Sequence, residues 1–186
     1  MRWFVALILC VSVLLCGCKA SNKTIDQAIL FRNKILDSNG CNFRATINAD
    51  YGDKIYIFSM ECAADKEGNL SFKVTSPETI SGITGSISSQ GGAITFDDKV
   101  LAFQTLTDGE LTPVSAPWIF IKTIRSGYIR SCSDETGKYQ IEIDDTYEEN
   151  ALRLNIFVEN HLPVGGEIFW KGRRAIAITV EDFVLL

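Results

Sequence analysis

The chain has 186 residues, of which 46% are hydrophobic, 10% aromatic and 22% charged, and its net charge is −5. That is a globular composition of single-domain length, too apolar and too poor in charge runs for disorder. One histidine, no Gly-rich phosphate loop, no HExxH and no paired CxxC leave nucleotide, zinc-knuckle and most acid/base hydrolase chemistry without its residues, and the acidic balance disfavours nucleic acid.

The chain opens with Met1-Arg2, and from Trp3 to Cys16 every residue is apolar except Ser12. The run falls short of the ~20 residues that a membrane-spanning helix needs, and its charged start, apolar middle and small-residue end are those of a secretory signal. Leu15-Cys16-Gly17-Cys18 resembles a bacterial lipobox, in which an aliphatic residue, a tolerant position and a small residue precede a cysteine that is diacylated and becomes the new N-terminus. Residues 1–17 are therefore read as a lipoprotein signal peptide, Cys18 as the lipid anchor and 18–23 as a short spacer. The remainder, 24–186, reads as one domain on the extracytoplasmic face of a cell membrane. Two acyl chains suffice for stable attachment where one is marginal.

Thr24-x-x-Gln27 has the form of a capping box, and Ile25, Ala28, Ile29, Ile35 and Leu36 recur at helical spacing up to Asn39-Gly40, which predicts an amphipathic helix over 24–38. From Cys41 the period changes to two. Phe43, Ala45, Ile47 and Ala49 form one face of a strand, and a turn at Asp50–Asp53 returns the chain as its partner. Folding about Tyr51-Gly52 pairs Phe43 with Met60, Ala45 with Phe58 and Ile47 with Tyr56. It also sets Cys41 opposite Cys62, at a separation of about 4.5–5.5 Å that overlaps disulfide geometry. A Cys41–Cys62 bridge suits an exported protein. Cys132 then reads as a small buried thiol, with pairing to Cys41 or Cys62 as the alternative.

Strands are expected at 70–75, 82–88, 93–96 and 100–103, too closely spaced for crossover helices, so the sheet must be antiparallel. Ser115 to Ser126 breaks the pattern with Pro117 in its first turn, Trp118, Ile119, Ile121 and Ile124 as an apolar face and Gly127 as a stop, which predicts a second helix. Strands resume at 128–132, 139–143, 152–158, 167–170 and 175–185, the last apolar on both faces and so expected in the middle of the architecture. The fold class is mainly β: about ten or eleven antiparallel strands in a sheet that curls, with two helices to cover its apolar face.

Lys171, Arg173 and Arg174 read as a solvated turn, His161 as a turn residue, and the acidic pairs Asp134-Glu135, Asp144-Asp145 and Glu148-Glu149 as loops without the alternating ligands of a calcium site. No nucleophile, base and orienter come together, and no cofactor or metal is implied; the expectation is a protein that is not an enzyme.

The order of elements resembles the LolA/LolB-type half-barrel superfamily of lipoprotein carriers and receptors. The likeness is carried by the helix before Cys41, by Gly68-Asn69-Leu70-Ser71-Phe72-Lys73-Val74-Thr75-Ser76-Pro77, by Gly91-Gly92-Ala93-Ile94-Thr95-Phe96-Asp97-Asp98, and by Leu162-Pro163 followed by the closing hairpin. The resemblance implies an open half-barrel, a helix across its concave side, and a concave face that binds a lipid, an acyl chain, a lipoprotein or another hydrophobic ligand. Phe43, Ile47, Phe58, Met60, Phe72, Trp118, Ile121 and Phe157 are then expected to face inward. The alternative is a non-enzymatic cell-envelope structural or protein-interaction module whose barrel is filled.

Overall fold

Alternation of apolar and polar residues builds most of this molecule, because each strand can bury one face only if every second side chain is apolar. The computed structural model describes residues 20–107, 110–135 and 137–186. Helix α1 (Ala20–Leu36) leads into β1 (Gly40–Asp50), β2 (Ile55–Asp65), β3 (Leu70–Ser76), β4 (Thr84–Ser88), β5 (Gly91–Phe96) and β6 (Lys99–Phe103). A short ribbon, β7 (Leu106–Thr107) with β8 (Glu110–Leu111), precedes helix α2 (Ala116–Ser126). Then come β9 (Tyr128–Glu135), β10 (Lys138–Asp144), β11 (Arg153–Glu159), β12 (Leu162–Trp170) and β13 (Arg173–Leu185).

Eleven strands form one antiparallel sheet in the order β6-β5-β4-β3-β2-β1-β13-β12-β11-β10-β9, open at both edges rather than closed. It is two meanders, β1 to β6 and β9 to β13, joined where the first strand pairs with the last. β13 accordingly lies in the middle, as its apolar sequence requires, held by β1 on one side and β12 on the other. Its Ile176, Ile178 and Val180 are buried, whereas Ala177 and Thr179 on the opposite face are partly or fully exposed.

The concave face is a set of cross-strand rows. Ile47, Ile178, Gly166, Ile156 and Ile141 lie opposite one another on five successive strands, and all four isoleucines are 3% exposed or less. The glycine in that row leaves room for the plug helix. A Cβ on Gly166 would lie 3.1 Å from Cε2 of Phe120, and Phe120 itself is fully buried. Pro113–Ser115 forms a 3-10 turn that runs directly into α2, so the plug is one helical segment of 14 residues. Its C-terminal end is pinned by Arg125, which donates to the carbonyls of Ile35 in α1 and Lys66 in the β2–β3 turn. α1 contributes Ala28, Phe31 and Ile35 to the core and lies against β9 and α2.

Several expectations are corrected. Residues Thr24 and Gln27 lie inside α1 rather than at its start, and the helix ends at Leu36. The β1–β2 hairpin turns one residue later than expected, which shifts every partner by two and pairs Phe43 with Cys62, Ala45 with Met60 and Ile47 with Phe58. Cys41 therefore faces Ala64, not Cys62; Cys41, Cys62 and Cys132 form no disulfide among the described residues, and Cys132 is partly exposed rather than buried. Finally, Phe157 sits on the outer face, because Leu154, Ile156 and Val158 are the buried set of β11. Cys18 and the rest of the leader lie outside the described residues.

Candidate functional site

A groove forms where the sheet loses a strand. β3 pairs with β2 only from Ser59 onward, ending at Ser76, and Pro77 then leads into a single 3-10 turn, Glu78–Ile80, that carries the chain away from the sheet. Among the described strands the first residues of β2 thus pair with β1 alone, leaving Tyr56 and Phe58 partly exposed on the concave side. Ile80 and Ile83 from the β3–β4 connection, Val74 and Ile94 supply one wall. Leu111, Pro113 and Val114, the strap leading into α2, supply the other. The cavity holds about 720 Å³ and is open along one side, with Asp53 and Lys54 among its polar lining residues. Tyr51 ties the strap across the mouth by donating its hydroxyl to the carbonyl of Leu111. Thr112 fastens the same strap from behind, its Oγ1 donating to the Gln104 carbonyl at 2.6 Å.

The expected inward-facing residues divide. Phe58 lines this groove. Ile47, Met60 and Ile121 are at most 1% exposed and are packed core. Phe43 stacks on Phe183 with ring centroids 5.6 Å apart, and Phe72 leans over Gly85, where a Cβ would come within 2.4 Å of its ring. Trp118 lines a separate cleft of about 390 Å³ that also takes in Trp170, Gln104 and Asp145. Phe157 faces outward. The remaining groove residues were not singled out from the sequence; the available signal was Ser76-Pro77, which marks the place where β3 must stop.

Chemistry, not size, selects the groove. A cleft of about 820 Å³ near β1 to β5 is larger, but its walls include Arg44, Glu61, Lys73 and Asp182. Arg44 there is paired with Asp182 and lies 3.8 Å from Glu181. Burial pushes the Cys41 thiol up to about 11 against the smaller opposing pull of Arg125, and raises Cys62 still further, so both stay protonated at neutral pH. His161 is exposed in the β11–β12 turn with its ring near Tyr139. Arg174 of the basic turn pairs with Glu167 at 2.7 Å. These groups are dispersed over different elements.

No protein-family model matches the chain, and no curated protein sequence matches it. Solved structures do. A domain from Vibrio parahaemolyticus described as an outer membrane lipoprotein-sorting protein superposes with a TM-score of 0.51 at 8% identity, over 88% of this chain and 92% of its own. A LolA superfamily protein from Nitrosomonas europaea gives 0.46 at 9%, covering 86% and 93%. The lipoprotein LppX of Mycobacterium tuberculosis gives 0.43 at 10%, covering 87% and 93%. The class that the sheet and its plug helix define is the LolA-like half-barrel, and this chain has that fold.

Proposed function

We propose that the protein is a membrane-anchored extracytoplasmic lipoprotein whose half-barrel takes a lipid, an acyl chain or another hydrophobic ligand into the groove between Phe58 and Val114, without catalysing a reaction. The observation that carries the reading is the groove itself, a cavity of about 720 Å³ lined by Tyr56, Phe58, Val74, Ile80, Ile83, Ile94 and Val114. Small-molecule pockets run from about 300 to 1,000 Å³, and each Å² of apolar surface removed from water contributes ~25 cal/mol. A flexible chain laid against these side chains loses conformational entropy but gains burial along its whole length. The lipobox at Leu15–Cys18 supports the anchor, and no described helix is long and apolar enough to cross a membrane.

The test has two parts. Native mass spectrometry of the protein purified from its host, with titration of a fluorescent fatty acid, is expected to show a bound lipid and saturable uptake. Ile83→Asp, which puts a carboxylate on the groove wall, weakens uptake by about tenfold, equivalent to ~1.4 kcal/mol. No co-purifying lipid and no fatty-acid uptake contradict the ligand reading. For the anchor, metabolic labelling with an alkyne palmitate is expected to tag the wild type and not a Cys18→Ala variant; equal labelling of both contradicts it. The filled-barrel alternative, an envelope interaction module, draws on Ile47, Met60 and Ile121, which close the barrel's middle, and the same titration separates the two.

A further inference from the structure

A second cleft, of about 670 Å³, lies among α1, the start of β9 and the β10–β11 connection, and it is built of charge rather than hydrocarbon. Three guanidinium groups reach it from three elements: Arg32, Arg130 and Arg153. Two of them are spoken for. Asp144, whose side chain is 14% exposed, accepts from Arg130 Nη1 at 2.9 Å on one oxygen and from Arg153 Nε at 3.0 Å on the other. Arg32 is not. Its Nε and Nη2 are buried and have no hydrogen-bond partner among the described residues. These two nitrogens carry the parallel N–H pair with which a guanidinium grips an oxyanion bidentately.

A guanidinium cannot escape its charge by losing a proton, so a desolvated fork without an acceptor is a large local cost. Burial presses the Arg32 group below its ordinary value, as desolvation of a cation must. Among the described residues no carboxylate lies within hydrogen-bond reach of its fork. Asp144 is occupied twice, Asp145 accepts from the Leu152 amide at 2.8 Å, and Glu148 and Glu149 are exposed to water. Arg32 as a whole is only partly buried, so rotation about its last torsions can turn the fork into the cleft. Beside it Tyr128 and Tyr147 pack with their rings tilted against each other, closing one wall with aromatic surface.

We propose that this cleft binds a phosphate group, with Arg32 as the principal donor and Arg130 and Arg153 as flanking cations. Phosphate suits the site better than a carboxylate because three guanidinium groups present more donors than two oxygens can accept. The phosphate can come free in solution or as part of a phospholipid headgroup; either satisfies the fork. The site is independent of the apolar groove and stands whether or not that groove takes a lipid.

The experiment uses the full chain in nonionic detergent and follows the Arg32 Nε–Hε NMR signal, identified by its loss in Arg32→Lys. Inorganic phosphate is titrated in one arm and a soluble short-chain phosphatidylglycerol in the other, each against matched chloride. A saturable shift with inorganic phosphate supports the proposal with a free ligand; a shift with the phospholipid alone supports it with a headgroup. By calorimetry Arg32→Lys, which keeps the charge but not the fork, binds at least about tenfold more weakly. The proposal is overturned if neither titrant moves the signal, if Arg32→Lys binds as well as the wild type, or if a Glu148→Gln/Glu149→Gln variant moves the free signal as an internal partner would.

Discussion

Cys41 and Cys62 sit on one face of neighbouring strands, yet they are not opposite each other. Their burial, not a bond, sets their chemistry. Each thiol is held protonated in the fold, whereas in the unfolded chain it ionises near its ordinary 9.0. The stability they contribute is therefore complete at neutral pH and is lost as pH climbs through 9, toward about 11 for Cys41 and beyond that for Cys62. Urea denaturation should show a midpoint that declines over that window, less steeply in a Cys62→Ala variant. Alkylation of the native protein at pH 8 should label Cys132, which is partly exposed, well before Cys41 or Cys62; equal rates at all three would contradict the buried-thiol account. The sequence pattern could not have settled this pairing. A slip of two residues keeps every side chain on the same face, so alternation is satisfied by either register. The turn decides, and here it lies one residue further along, with Gly52 at φ +89° and the Tyr51 amide donating to the Lys54 carbonyl at 3.0 Å.

Helix α2 was legible because its apolar residues, its Pro117 and its Gly127 all agree. Its seat was not, since nothing local says that Gly166 will lie beneath Phe120. Phe120→Ala is expected to cost about 3–5 kcal/mol, as for a large side chain removed from a closed site. Phe157→Ala, on the outer face of β11, should stay within about 1 kcal/mol. Chemical denaturation of the two variants compares them directly, and equal losses would mean that the plug is loosely seated. Leu152, Leu154, Ile156 and Val158 alternate without Phe157, and that alternation is what turns its ring outward. The ribbon β7–β8 had no such signal: two-residue strands are too short to carry a period.

Taken together, the two meanders share one sheet but differ in how they are filled. On the β9 to β13 side the plug helix meets rows of isoleucine and the interior is closed. On the β2 to β5 side β3 stops early, the strap at 111–114 crosses at a distance, and apolar surface remains without cover. Curvature, strand direction and helix count follow from periodicity and connection length, which act over a few residues. The groove depends on where one strand ends relative to a strap that begins 35 residues later, and that is a property of the folded chain. The most direct test is photolabelling of the purified protein with a diazirine fatty acid, followed by peptide mapping. Crosslinks concentrated on Tyr51–Phe58, Ile80–Ile83 and Leu111–Val114, and competed away by unlabelled fatty acid, are the expected result. Labelling that falls on the outer face around Phe157, or that competitor does not displace, would contradict a ligand-holding groove.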